Sequence, residues 1–255
     1  MLVPSSAHSH LDIQNRVSHL AGTLIERFKR EQPELEITNS EVKCIKLAGL
    51  CHDLGTFSNI LSCHGPFSHI FDNEFMPQAK PELTWSHEQA SEMMLEYLID
   101  DNNIDLEKDE IELIKGLIDG KPGRHSQRGF LFDIVANKRN SVDVDKFDYI
   151  ERDCYNLGIK SSYDTSRLMA MCRVVNNQIC FHHKEVYSLY DMFHTRYSLF
   201  KRIYTHRVCM YISIISQTNY FYWGRLLRKP EIYLAIPLSF AQHVSETLDD
   251  ISLVS

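Results

Sequence analysis

The 255-residue chain has little glycine and proline and no closely spaced pair of cysteines. Ten glycines and eight prolines are few for this length, which argues against a loop-rich or many-turned β protein. The seven cysteines contain no CxxC pair, so a zinc ribbon and a thioredoxin-like motif are excluded. A scattered, odd set of cysteines is typical of a reduced intracellular protein.

The sequence also lacks a leader peptide, a membrane-spanning run and an excess of positive charge. No basic segment followed by an apolar run precedes the first predicted helix, so we expect no signal peptide. The apolar stretch 208–215 is too short to cross a bilayer. A net charge of -7 argues against a wholly basic nucleic-acid-binding protein, although it is compatible with a local basic patch. We therefore expect no membrane partner.

Apolar residues recur at helical spacing through most of the chain. This pattern predicts helices over 12–31, 40–54, 87–100, 107–118, 130–138, 143–157 and 185–216. Asp12 is the predicted N-cap of the first helix, and Asn39 with Ser40 forms the predicted cap of the second. The fold class that follows is mainly α.

The segments between the predicted helices have turn chemistry. Residues 55–86 and 121–129 are predicted loops, and 173–184 is predicted to form a small β-hairpin that turns at Asn176 and Asn177. We expect the tyrosines and phenylalanines of 189–222 to lie in the core, the alternative being a platform on which nucleic-acid bases stack.

Thirteen histidines are the unusual feature of the composition, and one lies beside a carboxylate at the end of a predicted helix. His52 and Asp53 can both turn toward one metal ion, because imidazole and carboxylate are common metal ligands. An isolated His-Asp pair is also compatible with a solvated helix end. Here His64, His69 and His87 follow along the chain. The acidic run DVDKFD at 143–148 lies on another predicted helix. The pattern favours a metal centre.

This arrangement resembles the HD-domain phosphohydrolases. Within them it is most similar to the vertebrate deoxynucleoside triphosphate triphosphohydrolases that combine a sterile alpha motif with an HD domain. The segments that carry the resemblance are, in order, HLAGTL (19–24), QPELEIT (32–38), LAGLCHDLG (47–55), HGPFSHIFD (64–72), WSHEQ (85–89), IVANKRNSVDVDKFDYIERDC (134–154), LGI (157–159), KEV (184–186) and LYDMFHTRYSL (189–199). The resemblance is specific, because several long segments match in the same order. It implies an HD-domain helical bundle over 1–217 and a divergent tail over 218–255.

The resemblance implies a metal-dependent dNTP triphosphohydrolase, a dGTPase that releases deoxynucleoside and triphosphate. The implied metal ligands are His52, Asp53 and Asp145, for Zn, Fe or Mn, with Mg accompanying the nucleotide. His87 is the implied proton donor to the leaving oxygen. His64 and His69 match histidines that support catalysis near the phosphates.

The resemblance also implies two sets of nucleotide contacts. The residues that match positions holding the triphosphate, sugar and base of the substrate are Lys146, Tyr149, Asp153, Arg196 and Tyr204. Arg167 and Lys184 match positions that bind an activating GTP or dNTP between subunits. Further implied properties are a homo-oligomer, contact with single-stranded nucleic acid, localisation in the nucleus and also the cytoplasm, and a role in dNTP catabolism and antiviral defence.

The sequence departs from the family pattern at several places. Ile13 stands where the family's HS-x-G-V segment has its first metal-binding histidine, and isoleucine cannot ligate a metal. His10 lies three residues upstream and is an alternative ligand. Residues 56–63 interrupt a segment that is continuous in the family. The chain also reads as a truncated form, without the family's N-terminal interaction domain and C-terminal lobe.

These departures leave three functions open. The first is an active dNTP triphosphohydrolase. The second is a catalytically weak HD module that binds nucleotide or nucleic acid or associates with full-length subunits, which Ile13 and the insertion favour. The third is another HD phosphohydrolase, such as a nucleotidase or a cyclic-nucleotide phosphodiesterase, against which the long matched segments argue.

Overall fold

A computed structural model describes residues 10–54, 77 and 86–207, and for residues 10–13 the helical backbone alone. The predicted catalytic residues His64 and His69, the insertion 56–63 and the tail 218–255 therefore lie outside the described residues. In the described part, the mainly α fold with one small hairpin is confirmed. No described helix has the length and apolarity needed to cross a membrane.

The described helices are α1 (His10–Glu31), α2 (Asn39–Cys51), α3 (His87–Asn102), α4 (Lys108–Asp119), α5 (Gly129–Val135), α6 (Val144–Asn156), α7 (Thr165–Ala170) and α8 (Val186–Leu199). Strands β1 (Cys172–Val175) and β2 (Gln178–Phe181) pair in antiparallel fashion. Short 3-10 turns occur at Pro33–Leu35, Gly123–Arg128 and His183–Glu185, and a π-helical turn, Phe200–Tyr204, follows α8.

The helix caps differ from the sequence-based expectation. Asp12 lies inside α1, which already begins at His10, so it is not the cap. Helix α2 is capped by Thr38, whose Oγ1 accepts a hydrogen bond from the Glu41 backbone N–H at 3.1 Å, while the Glu41 carboxylate accepts one from the Thr38 backbone N–H at 2.9 Å. This reciprocal pair requires a Glu or Gln three residues after the cap. Asn39 and Ser40 have no such residue at that spacing.

The end of the described chain also differs from the prediction. Helix α7 is too short for a periodic pattern to reveal it. The predicted helix 185–216 is helical from Val186 to Leu199 and then widens into the π-helical turn. In that turn the Thr205 backbone N–H donates to the Phe200 carbonyl oxygen at 3.0 Å, five residues back, and the Thr205 hydroxyl donates to the same oxygen at 2.8 Å.

The expected burial of the α8 aromatics is wrong. Met192, Thr195 and Leu199 are the buried residues of this helix. Because these three define the inward face, the aromatic side chains between them point outward. The exposed fractions are 64% for Tyr190, 36% for Phe193, 59% for Tyr197 and 50% for Phe200.

The core is formed by the inward faces of the helices around α1 and α2. Phe28, Ile45, Ile114, Phe130 and Phe147 are each at most 2% exposed and come from five different helices. Burying such side chains contributes roughly 1.5–3 kcal/mol each. Helices α1 and α2 are in close contact, and the end of α2 carries the buried His-Asp pair.

The hairpin is joined to the helices through side chains that bond to its two outer edges. On β1, the Val174 backbone N–H donates to Gln32 Oε1 at 2.7 Å, and Gln32 Nε2 donates to the Val174 carbonyl oxygen at 2.9 Å. On β2, the Ile179 backbone N–H donates to Asp133 Oδ2 at 3.2 Å, and Arg139 Nη2 donates to the Ile179 carbonyl oxygen at 3.4 Å. Val174 and Ile179 are opposite each other in the register.

Candidate active site

His52 is the C-cap that directly follows α2, and its ring is oriented by the helix itself. Its Nδ1 lies 2.8 Å from the carbonyl oxygen of Gly49. A carbonyl oxygen only accepts hydrogen bonds, so this contact assigns the hydrogen to Nδ1. The other nitrogen, Nε2, lies 3.0 Å from Asp53 Oδ2 and 3.5 Å from Asp145 Oδ1. The three predicted metal ligands therefore meet, with their donor atoms all within 4.8 Å of one another.

Asp145 reaches this group because the start of α6 is fixed. Asp143 is the N-cap, and its carboxylate accepts hydrogen bonds from the Lys146 backbone N–H at 3.1 Å and from the Asn137 backbone N–H at 3.1 Å. Lys146 Nζ donates to the same carboxylate at 2.9 Å. The first turn of α6 is thereby held in place, and Asp145 lies in that turn.

Burial and charge act in opposite directions at the His-Asp group. Burial lowers the pKa of His52, but the carboxylates of Asp53 and Asp145 outweigh it and hold this pKa well above its usual value. Burial also raises the pKa of Asp145, and the His52 ring outweighs it, so that pKa lies below its ordinary value. The charged forms of His52 and Asp145 thus favour each other, and a metal ion that binds there competes with a proton for Nε2 of His52.

The donor set fits a divalent metal ion. Nε2 of His52 is buried and makes no aligned hydrogen bond, although two carboxylate oxygens lie near it. A histidine that binds a metal through one ring nitrogen usually donates the hydrogen of the other to a carbonyl or carboxylate, as Nδ1 of His52 does to Gly49. One imidazole with two carboxylates can coordinate Zn, Fe or Mn.

The His-Asp group opens into a cavity of about 310 Å³ that collects six of the thirteen predicted site residues. Its lining includes His52, Asp53, Asp145, His87, Lys146 and Arg196. His87 is the first residue of α3, whose N-cap Ser86 accepts a hydrogen bond from the Gln89 backbone N–H at 3.3 Å. The cavity therefore combines a candidate metal centre, a second histidine and two cationic side chains.

Three charged residues of the lining, Glu88, Lys138 and Asp143, were not predicted as site residues. Glu88 Oε2 lies 3.7 Å from His87 Nδ1, and Glu88 Oε1 lies 3.5 Å from Lys138 Nζ. Burial raises the pKa of Glu88. The charge of His87 and the hydrogen bonds that the Glu88 carboxylate accepts outweigh burial, so this pKa lies below its ordinary value. Their signals were present: Glu88 follows His87 in the first turn of a helix, and Lys138 lies in the segment that leads to Asp145.

A second group of predicted residues lies between α6 and the π-helical turn. The Tyr204 hydroxyl donates a hydrogen bond to Asp153 Oδ2. Burial raises the pKa of Tyr149 to about 12 against the opposing effect of Arg196 beside it. Arg196 also lines the cavity, so it connects this group to the His-Asp group.

The predicted effector residues Arg167 and Lys184 are near each other in the fold and absent from the described lining of the cavity. Arg167 Nη2 and Nε donate to Glu185 Oε1 at 2.7 and 2.9 Å. Lys184 is exposed and precedes Glu185 in the 3-10 turn.

The known proteins that are similar to this chain include deoxynucleoside triphosphate triphosphohydrolases. No protein-family profile matches the chain. A SAMHD1 homolog of Dictyostelium discoideum, a deoxynucleoside triphosphate triphosphohydrolase, is 50% identical over 206 residues, which cover 80% of this chain and 38% of that protein. Human SAMHD1, of the same description, is 43% identical over 80% of this chain and 35% of its own length. The chain resembles the SAMHD1 triphosphohydrolases.

A more distant relative is described as an HD domain-containing protein. An HD domain-containing protein of Acanthamoeba polyphaga mimivirus is 30% identical over 81% of this chain and 46% of its own length. The resemblance to HD-domain proteins that the sequence predicts is thus confirmed. The chain spans less than half the length of these relatives.

Proposed function

We propose that this chain hydrolyses deoxynucleoside triphosphates to deoxynucleoside and triphosphate in the cavity at the end of α2. The observation that carries the proposal is the group of His52, Asp53 and Asp145 in one cavity with the cations Lys146 and Arg196. The similarity to SAMHD1 triphosphohydrolases over four-fifths of the chain supports the choice of substrate.

His52, Asp53 and Asp145 would hold a divalent ion, for which we propose Zn, Fe or Mn, with Mg bound to the nucleotide. When bound, such an ion makes water nucleophilic at neutral pH. The other cavity residues have separate tasks. Lys146 and Arg196 offset the charge of the triphosphate, because both place cationic groups at the lining.

His87 is the proposed proton donor. Hydrolysis adds water across the bond between the α-phosphorus and the 5′ oxygen, so that oxygen must gain a proton as the bond breaks. His87 lines the cavity and its Nδ1 faces the Glu88 carboxylate. The carboxylate beside Nδ1 leaves the imidazole of His87 positioned at the cavity, as a general acid requires.

Asp153 and the tyrosines are proposed to hold the sugar and base. Asp153 accepts a hydrogen bond from Tyr204, and a carboxylate is an acceptor that suits a sugar hydroxyl. Arg167 and Lys184 are proposed to bind an activating GTP or dNTP, which would compete with Glu185 for the Arg167 guanidinium.

We also propose a homo-oligomer and a nuclear location, which size-exclusion chromatography and imaging of the tagged chain would test.

The test of the main proposal is metal content together with release of deoxyguanosine and triphosphate from dGTP. The wild-type chain is expected to bind a divalent ion and to form both products. His52→Ala is expected to lose both, whereas His183→Ala, an exposed histidine, is expected to keep both. A wild-type chain that holds metal and forms no product would support the catalytically weak module instead. A chain that binds no divalent ion would refute the proposal.

The exposed face of α8 favours a second candidate function, binding of single-stranded nucleic acid. Tyr187, Tyr190, His194, Tyr197 and Lys201 follow one another at spacings of three and four residues, so they form one stripe along the helix. Tyr187 is 80% exposed, and the rings of Tyr190 and His194 stack with centroids 6.1 Å apart. Lys201 lies over the Tyr197 ring at 5.9 Å.

The charge of this segment suits a polyanion. Between residues 186 and 207 the only acidic residue is Asp191, against four lysines and arginines. Exposed aromatic rings beside cations are the usual platform for single strands, and each stacked base contributes roughly 1–3 kcal/mol.

Fluorescence anisotropy with a labelled single-stranded oligonucleotide tests this function. Tyr187→Ala with Tyr197→Ala is expected to weaken binding by at least tenfold, while Tyr155→Ala, which removes an equally exposed tyrosine of α6, is expected to leave it unchanged. Equal affinity of both variants would refute it. Self-association through the stripe without oligonucleotide binding would also refute it.

A further inference from the structure

Helix α1 lies between the two helices that carry the candidate metal ligands. It packs against α2, where the Ser18 hydroxyl donates to the Lys46 carbonyl oxygen at 2.8 Å and Gly49 lies against the α1 backbone. On its other side it contacts α6 through Arg16. Since α2 ends in His52 and α6 begins near Asp145, the position of α1 influences how these two residues meet.

The ion pair between α1 and α6 joins a buried carboxylate to a partly exposed arginine. Arg16 Nε lies 2.7 Å from Asp148 Oδ1, while Arg152 binds the other carboxylate oxygen, Oδ2. The Asp148 side chain is 1% exposed, and that of Arg16 is 45% exposed. A buried carboxylate needs its cationic partners, so this ion pair constrains the two helices more than an exposed one would.

Each residue of the ion pair lies one helical turn after a position that belongs to the candidate metal centre or to its family pattern. Asp148 follows Asp145 by three residues, one turn along the same helix face. Arg16 follows position 13 by the same three residues. Position 13 is where the HS-x-G-V pattern has a metal-binding histidine, and this chain has isoleucine there. At the glycine of that pattern the chain has Arg16. The ion pair thus joins α1 to α6 one turn away from the position of the missing ligand.

We propose that Arg16 is a positioning residue: through Asp148 it holds α6 against α1 and so sets the separation of His52 and Asp145. The inference rests on the metal centre of the proposed function. In the family pattern a histidine ligand on this segment joins it to the metal site. In this chain Arg16, a partly exposed residue, would join α1 to the site instead.

Titration of the full chain with Mn²⁺ alone, followed by calorimetry, is the first test. Arg16→Met is expected to weaken Mn²⁺ binding by about tenfold, in the range of outer-shell substitutions at metal sites. Arg16→Lys, which keeps the charge, is expected to recover part of the affinity. The matched control is Arg30→Met, on the same helix and with its side chain 72% exposed, and it should bind like the wild type.

Amide hydrogen exchange of residues 144–149 without metal is the second test, and it does not depend on the proposed function. Arg16→Met is expected to raise exchange there at least tenfold over Arg30→Met. In the Asp148→Asn background, Arg16→Met should add little further change. Unchanged protection of 144–149 would overturn the positioning role, even in a chain that binds no Mn²⁺. A wild-type chain that does not bind Mn²⁺ would instead count against the metal centre.

Discussion

Nδ1 of His52 and the carbonyl oxygen of Gly49 lie 2.8 Å apart, within the last turn of α2. The glycine has a second role, because its missing side chain allows α1 and α2 to approach. A Cβ at position 49 would lie 3.0 Å from Ser18 Cα and 3.2 Å from the Val17 carbonyl oxygen. One residue therefore controls both the packing of two helices and the orientation of the candidate metal ligand.

Gly49→Ala is expected to destabilise the chain by about 1–3 kcal/mol, because backbone atoms of α1 cannot yield to the added methyl group. Gly22→Ala is the control: its Cβ would meet the flexible side chain of Lys46, which can move aside. Urea unfolding would measure both. A free energy of unfolding for Gly49→Ala equal to that of Gly22→Ala would contradict the packing argument.

Thr38→Ala is expected to cost about 1 kcal/mol of stability, because it removes the side-chain half of the α2 capping box. Asn39→Ala, at the cap position favoured by sequence reasoning, should cost less than half as much. Thermal unfolding of the two variants decides between the caps, and a larger loss for Asn39→Ala would show that Thr38 is not the cap.

Glu185→Gln is expected to change the pH dependence of stability. Hydrogen bonds from Arg167 and Ser188 lower the pKa of Glu185. A carboxyl group with a lowered pKa in the folded state stabilises that state above its unfolded pKa of about 4.3, and this stabilisation is lost as the pH falls through the folded-state value.

The wild type should therefore exceed Glu185→Gln in free energy of unfolding at pH 7, and the difference should shrink toward pH 3. Urea titrations between these limits measure it. Glu151→Gln, which alters an exposed residue of α6, provides the baseline. A difference independent of pH would contradict an ionic role for Glu185.

Gln32→Leu is expected to destabilise the chain by about 1–3 kcal/mol, because it leaves the Val174 N–H and carbonyl buried and unpaired. Gln178→Leu, an exposed residue of β2, should have a small effect by comparison. Chemical unfolding of both variants measures the difference, and similar losses would indicate that the amide contributes nothing specific.

Sequence periodicity identified the long helices because their inward faces repeat over several turns. Helix α7 has only six residues, too few for such a repeat, and is fixed instead by Asp164, whose side chain accepts a hydrogen bond from the Arg167 backbone N–H. The α8 aromatics were misplaced for a different reason. An apolar side chain in a sequence does not reveal whether a neighbouring element covers it, and here the described structure leaves Tyr190 and Tyr197 exposed.

The candidate site shows a similar division. His52 and Asp53 are adjacent, so one helix end accounts for both, whereas Asp145 lies far along the chain and was placed with them by family resemblance. In the structure the donor atoms of the three residues lie within 4.8 Å of one another. Arg16 had no signal of its own, since a single arginine on an amphipathic helix has the pattern of a solvent-facing residue. Its partner, Asp148, is distant in sequence, and only the fold brings the two together.

The side-chain bonds at the outer edges of the hairpin have a consequence for self-assembly. A free strand edge offers unpaired N–H and carbonyl groups to any extended segment that comes near, and proteins commonly block such edges. In this hairpin the outward groups of Val174 are taken by Gln32, and those of Ile179 by Asp133 and Arg139. At that level neither edge can accept a third strand, so the small sheet is protected from growing by strand addition.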